Sequence, residues 1–511
     1  MKINKHLINF ARKYPFVAHY GYSVLKNYWH LKADFVNYHF DKSKATVSKD
    51  LIVDFNKNRP YGPKKKICYA PFNNMHFQID GNVSACSFNY DFLIGNVNKN
   101  TIKEIWNSEN ANAFREKLGN YNFDLCKSCE KVLQAKNYNS FPPLKYDMHA
   151  DDNAAYPTQM SFEMSDLCNF ECVMCNENFS SLIRKRKGLP PQKFNYPERF
   201  FDELLEFIPR LKIATFIGGE PLLIKSYFRI WEAILKHNNT CSIHIQTNAS
   251  YLPPRFLEML ETGQFDIGIS LDATEKTSFE QIRINADFEQ IQENINVLKS
   301  FMDKGKVNLN INFCPLVLNW KEIPKIVEYS NRLNIPLKIV NVENPRNLSL
   351  QHRQATFLQH IIQALESTTF SNPQNIIQEK NIQSFQQYVQ HLKFLQHEAT
   401  QREAFFTTIE KEIAVKFETL FDTSSLFNNF SAEQRKQLHQ RSTELITQLN
   451  QDEAIQRQTM FRVYYALYKF KHTNDGAASN NFEYGSSVLL NVIREFYALI
   501  MDEQHSVAVP N

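Results

Sequence analysis

The 511-residue sequence has no apolar run as long as a membrane span. It also lacks a marked charge of either sign. A net charge of +4 gives no ground of its own for nucleic-acid binding. A secretion signal is not expected: Met1-Lys2-Ile3-Asn4-Lys5 opens like one, but the apolar stretch from Leu7 to Ala11 is cut short by Arg12-Lys13. The chain therefore reads as cytoplasmic. Glycine is missing between Gly305 and Gly476, and proline between Pro373 and Pro510. A stretch without these breakers, rich in Gln, Leu, Phe and His, reads as helical.

What the chain does have is nine cysteines, at 68, 86, 126, 129, 168, 172, 175, 241 and 314. Seven of them fall in two groups. Without a secretion signal, that pattern favours metal ligation over disulfides.

Five regions follow from composition and periodicity. Residues 1–60 read as a helical, aromatic N-terminal extension. Residues 67–130 hold the first cysteine group. Residues 131–157, with Pro142-Pro143 and Asp151-Asp152-Asn153, read as a linker. From 158 to 345 strand and helix patterns alternate, with strands expected at Gln159–Ser165, Ile213–Gly218, Ser242–Asn248, Asp266–Asp272, Val307–Cys314 and Leu337–Val342. Six strand–helix units in series imply a parallel sheet with right-handed crossovers, short of the eight that close a full barrel. Residues 346–511 read as a helical C-terminal domain, in which Ser431-Ala432-Glu433-Gln434 is a capping box.

The central cysteines lie in Cys168-Asn169-Phe170-Glu171-Cys172-Val173-Met174-Cys175, directly after the first expected strand. A structural zinc site needs four ligands, and neither His nor Cys occurs between Cys175 and His237. Three thiolates suit an iron–sulfur cluster with one iron left open to a small molecule.

Further motifs follow successive strands. Gly218-Gly219-Glu220-Pro221 follows the second, Thr247-Asn248 ends the third, Ser270-Leu271-Asp272 ends the fourth, and Arg283 comes after it. In α/β barrels the C-terminal rim of the strands is where active sites are built.

With the x3 and x2 spacing of its cysteines, this segment resembles the radical S-adenosylmethionine (radical SAM) superfamily. The resemblance implies an α/β fold, a partial (β/α)6 TIM-type barrel. It implies a [4Fe-4S] cluster on Cys168, Cys172 and Cys175, whose open iron takes S-adenosylmethionine. It further implies cofactor contacts at Met174 (the family usually has an aromatic residue there), Gly218, Gly219, Glu220, Thr247, Asn248, Ser270, Asp272 and Arg283. Ala249 stands where the family often has glycine. An acidic Glu220 suits an ammonium, and the planar fork of Arg283 suits a carboxylate.

Alternation assigns the barrel's faces. Val307, Leu309, Ile311 and Phe313 share one side of the fifth strand; Asn308, Asn310, Asn312 and Cys314 share the other. His244 and Gln246 face the same way in the third. A polar interior is either filled by water and ligands or satisfies itself by mutual hydrogen bonds. Cys314, at a strand's C-terminal end, reads as a small packing residue or as a hydrogen-atom donor to a substrate radical.

Cys68, Cys86, Cys126 and Cys129 form the second group, with a hairpin turn at Asp80-Gly81. The hairpin ending in Cys86, Gly95-Asn96-Val97, the helix near 101–118 with Trp106 and Arg115, and the final Cys-x2-Cys resemble the twitch/SPASM auxiliary domain of radical SAM maturases. A second [4Fe-4S] cluster is implied, although four thiolates also make a zinc site. The family usually places this block after the barrel; here it comes before.

The chemistry implied is reductive cleavage of S-adenosylmethionine to a 5′-deoxyadenosyl radical, fed by a flavodoxin- or ferredoxin-type donor. That radical takes hydrogen from a peptide, a protein or a small molecule. The competing reading is a non-catalytic iron–sulfur or zinc protein that uses barrel and helical tail to bind partners.

Overall fold

The computed structural model describes residues 32–423 except 37, 39, 135, 137, 139–140, 151–154 and 194–195, without the side chains of 405–423. Most of the expected N-terminal extension and the capping box at 431–434 lie outside the described residues.

One nine-stranded sheet organises the protein, in the order β3-β2-β1-β4-β5-β6-β7-β8-β9. Its parallel part matches the sequence reading: β4 (Gln159–Glu163), β5 (Ile213–Phe216), β6 (Ser242–Thr247), β7 (Gln264–Ser270), β8 (Val307–Phe313) and β9 (Leu337–Ile339) pair in sequence order. This is the partial barrel, with helices crossing over between its strands.

Three more strands extend it. β1 (Asn74–Gln78) and β2 (Asn82–Ser84) form the hairpin, with Gly81 at φ +81° in its turn, and β3 (Leu93–Asn96) adds to β2. β1 also pairs in parallel with β4, Phe77 opposite Phe162. The hairpin of the auxiliary region thus continues the barrel's own sheet.

Alternation explains the register. Phe77, Phe162 and Phe216 lie side by side on the helix-covered face, with ring centroids 5.3 and 4.9 Å apart and planes 14° from parallel. Phe200 of the helix Glu198–Phe207 and Trp231 of Lys225–His237 close over them edge-on at 5.2 and 5.5 Å. Each such aromatic pair adds about 0.5–1.5 kcal/mol beyond area burial.

The single helix expected near 101–118 is two helices, Ile102–Trp106 and Glu109–Gly119. Thr101 and Glu104 make a capping box on the first, and the hydroxyl of Ser108 caps the second. A serine that can cap competes with helix continuation. Arg115 ties the pair together, donating to the Trp106 carbonyl at 2.6 Å and stacking on the indole at 4.2 Å.

Residues read as extension, auxiliary region and linker build one apolar core. Tyr38, Ile52 and Phe55 pack with Cys68, Cys86, Phe114, Phe141 and Tyr146. Arg59 and Asp147 lock it from opposite ends, fully buried and paired at 2.5 and 2.6 Å.

The described residues divide into two compact units, 32–353 with 357–393, and 354–356 with 394–423. In the first, Asn381 of the long helix Ile376–Thr423 covers the edge strand. Its Oδ1 accepts from Leu337 N at 2.8 Å, and its Nδ2 donates to Ile335 O at 3.0 Å. In the second, the described backbone is helical. No helix of the described residues is long and apolar enough to cross a membrane.

Candidate active site

The loop carrying Cys168, Cys172 and Cys175 leaves the C-terminal end of β4. Its shape comes from neighbours at the other strand ends. A Cβ on Gly219 would lie 2.2 Å from the carbonyl oxygen of Leu167, and one on Gly218 2.9 Å from that of Ser165. Their φ angles are +27° and +83°. Glu220 N donates to Leu167 O at 2.7 Å. The glycines are thus required by the cysteine loop itself, whose backbone passes where side chains would stand.

Glu220 then fixes the next strand end. Its Oε1 accepts from Thr247 Oγ1 at 2.6 Å and Leu222 N at 3.1 Å, and its Oε2 from Asn248 N at 2.7 Å. Burial raises its pKa to about 7, against those hydrogen bonds, which favour the carboxylate. Asn248 Nδ2 donates to Asn169 Oδ1 at 3.0 Å, so the third strand end holds the cysteine loop in turn. Ala249 sits at φ +55°, the left-handed region, which accounts for the glycine usual in the resembling family.

On the opposite side, Glu171 N and Val173 N donate to Ile284 O and Ile282 O. Between those carbonyls lies Arg283, which is buried. Its Nε and Nη2 reach Asp272 Oδ2 at 2.7 and 2.6 Å, and its Nη1 points at Cys172 Sγ, 3.7 Å away. The fork expected to meet a cofactor carboxylate is occupied within the protein. Asp272 Oδ1 also accepts from Cys314 N at 2.7 Å. The Cys314 thiol, pushed up to about 12 by burial, lies within electrostatic reach of Asp272, Arg283 and Cys172.

All the residues expected at the rim therefore stand around one loop, except that Ser270 bonds inward to Gln246 at 2.7 Å. Met174 is half-buried within the loop.

Both thiol groups fit metal clusters. Burial pushes Cys168 to about 12 and Cys175 to about 11; it also raises Cys172, less so because of Arg283. Thiols held this way become thiolates only beside a cationic centre. Cys68, Cys86, Cys126 and Cys129 line a small cavity of about 20 Å³ together with Phe114, Leu118 and Tyr146. Burial raises all four, Cys126 and Cys129 to about 12. A single tetrahedral zinc draws its thiolates to about 3.8 Å of one another. Four buried or half-buried thiols around one cavity offer the donor set of an iron–sulfur cluster or of that zinc.

The sequence reading missed a second polar group. His76 on β1 is fully buried, and its Nε2 meets Glu163 Oε2, at the end of β4, at 3.0 Å. Tyr90 Oη donates to the same oxygen at 2.5 Å. The alternation of Asn74, His76 and Gln78 with Met75 and Phe77 carries the signal for His76; nothing local identifies its partner strand.

Two family models match the chain: the iron-sulfur cluster-binding SPASM domain over residues 68–130, and the radical SAM superfamily over residues 162–329. Residues 162–329 are thus a radical SAM region, preceded by a SPASM iron–sulfur domain. The radical SAM region implies a [4Fe-4S] cluster with S-adenosylmethionine, and the SPASM domain an auxiliary iron–sulfur cluster. Among curated relatives, the chain is similar to a probable GTP 3',8-cyclase of Methanocaldococcus jannaschii. It is 24% identical over 181 residues, 35% of this chain and 57% of that protein. A GTP 3',8-cyclase of Saccharophagus degradans is 23% identical over 159 residues, 28% of this chain and 46% of that one. The chain thus spans about half the length of these relatives. Among solved structures, native anSMEcpe with bound AdoMet is 18% identical, with a TM-score of 0.33, covering 41% of this chain and 58% of that one.

Proposed function

We propose that the protein is a radical SAM enzyme that generates a substrate radical inside its partial barrel. The observation that carries this reading is the cysteine loop at the C-terminal rim, held by Gly219, Glu220 and Asn248 on one side and Arg283 on the other. Cys168, Cys172 and Cys175 would hold the [4Fe-4S] cluster, and Cys68, Cys86, Cys126 and Cys129 the auxiliary one. Bound there with S-adenosylmethionine, the first cluster would supply the electron for reductive cleavage of the sulfonium, the source of a radical able to take hydrogen from a substrate.

The chain's own residues orient and insulate. Arg283 places positive charge beside the Cys172 sulfur and so favours its thiolate. Glu220 holds the Thr247–Asn248 turn, which presents the Asn248 side chain to the loop. Met174, Gly218, Gly219 and Ser270 complete the surface proposed to receive the cofactor. A flavodoxin- or ferredoxin-type protein is the proposed electron donor, and a peptide, protein or small molecule the substrate.

Electron paramagnetic resonance of the dithionite-reduced, reconstituted protein tests the open iron. S-Adenosylmethionine should change the cluster signal of wild type and leave that of Cys168→Ala/Cys172→Ala/Cys175→Ala unchanged. A wild-type signal indifferent to S-adenosylmethionine would overturn the reading.

A further inference from the structure

Tyr146 belongs to the segment read from sequence as a linker, outside the residues that match the SPASM domain. Pro142-Pro143 preset the backbone of a short 3-10 helix, Pro142–Tyr146. The next residue, Asp147, is fully buried and takes Arg59 on both carboxylate oxygens, at 2.5 and 2.6 Å. Arg59 also donates to the carbonyls of Lys66 at 2.8 Å and Ile67 at 3.4 Å, the two residues before Cys68. One ion pair thus anchors the backbone beside Tyr146 and the backbone beside Cys68.

Tyr146 is 1% exposed and lines the cavity of the four N-terminal cysteines. Apart from the thiols, it brings the one polar side chain among the lining residues; Phe114, Leu118 and Pro143 are typical of the rest. Its hydroxyl is buried and has no hydrogen-bond partner among the described residues. Ser87 stands beside it without reaching hydrogen-bond geometry, and Cys86 and Cys68 lie within its electrostatic reach. A buried hydroxyl is normally satisfied, because leaving it unpaired costs its full desolvation. This one stands at a cavity built of thiols, so the partner it lacks is a group that binds there.

Two of the thiols already have donors of their own. Ala70 N donates to Cys68 Sγ and Asn89 Nδ2 to Cys126 Sγ, both at 3.4 Å. Sulfur accepts weakly as a thiol and more strongly when it carries the negative charge of a cluster. Hydrogen bonds to the sulfurs help set a cluster's potential, and they favour the reduced, more negative form.

We infer that the Tyr146 hydroxyl donates a hydrogen bond to a sulfur of the auxiliary cluster and raises its reduction potential. This rests on the reading of Cys68, Cys86, Cys126 and Cys129 as ligands of an iron–sulfur cluster. Tyr146 then joins the site from outside the cysteine-bearing domain, on a segment that the Arg59–Asp147 pair fixes.

A redox titration followed by electron paramagnetic resonance tests it on full-length, anaerobically reconstituted protein. Cys168→Ala/Cys172→Ala/Cys175→Ala serves as background, so that the auxiliary cluster gives the only signal. Tyr146→Phe keeps the ring and removes only the hydroxyl. Its midpoint should fall, by about 59 mV if the bond favours the reduced cluster tenfold. Tyr138→Phe, whose hydroxyl donates to Asp54 at 2.6 Å, should leave the midpoint where it was. An unmoved midpoint in Tyr146→Phe overturns the inference and assigns the hydroxyl to Ser87. An equal fall in Tyr138→Phe also overturns it, since loosened packing then explains both. Iron and zinc analysis of the same samples separates the two failures. Zinc at this site defeats the cluster reading as well, whereas about four irons with an unmoved midpoint defeat the inference alone.

Discussion

Asp272 and Arg283 form a buried pair at 2.6 Å, and the arginine's remaining nitrogen reaches Cys172 Sγ at 3.7 Å. Removing the arginine leaves a carboxylate in a dry site, a loss of about 3–5 kcal/mol. Chemical denaturation of Arg283→Ala should show a fall of that order. Arg283→Ala/Asp272→Asn should recover part of it, because the stranded charge is gone. Equal denaturation midpoints for wild type and Arg283→Ala would mean the pair holds nothing together.

The glycines of the second strand end make a geometric prediction. Gly219→Ala puts a methyl group into the Leu167 carbonyl, 2.2 Å away, and should displace the cysteine loop. Iron bound per reconstituted chain should drop towards that of the auxiliary site alone. Gly119→Ala, whose new methyl meets only Phe72 at 4.0 Å, should bind iron like wild type. Full iron loading of Gly219→Ala would contradict the clamp.

Much of this site was legible from residue order. Period-two alternation gave the six parallel strands, and the motifs after β4, β5, β6 and β7 marked the rim on which they lie. What stayed hidden depends on contacts between distant segments. Nothing near 74–78 says that this strand pairs with 159–163, so His76 and Glu163 were not brought together. Nor does Arg59 announce Asp147 across the segment read as a linker. Arg283 was matched to a ligand carboxylate, but a nearer one, Asp272, already holds it. The glycines of 218–219 are required by a close approach that residue order does not reveal, that of the protein's own backbone at Ser165 and Leu167.

Glu220 gives a pH prediction. Its folded pKa is raised from 4.5 to about 7, so the folded state holds an extra proton between those values. Its stabilising contribution is full below about 4.5 and is lost as pH rises through 7. Glu220→Gln has no such titration. In metal-free protein it should therefore destabilise more at pH 5.5 than at pH 8, by about 2 kcal/mol over the 1.5 units from pH 5.5 to the folded value. Denaturant titrations at the two pH values check this; a pH-independent difference would place the Glu220 titration elsewhere.

The two thiol sets should load independently. Anaerobic iron and sulfide analysis should find about eight of each per wild-type chain. Replacing Cys168, Cys172 and Cys175 by alanine should halve both, and so should replacing Cys68, Cys86, Cys126 and Cys129, provided those variants stay folded by circular dichroism. Zinc in place of iron at the second set would contradict the auxiliary cluster and leave the first untouched.

The central claim is tested most directly by chromatography of a reduced, reconstituted sample incubated anaerobically with S-adenosylmethionine. The account predicts slow formation of 5′-deoxyadenosine even without substrate, and none from Cys168→Ala/Cys172→Ala/Cys175→Ala. A fully iron-loaded, reduced wild type that forms no 5′-deoxyadenosine, or as much as the triple variant forms, would contradict it.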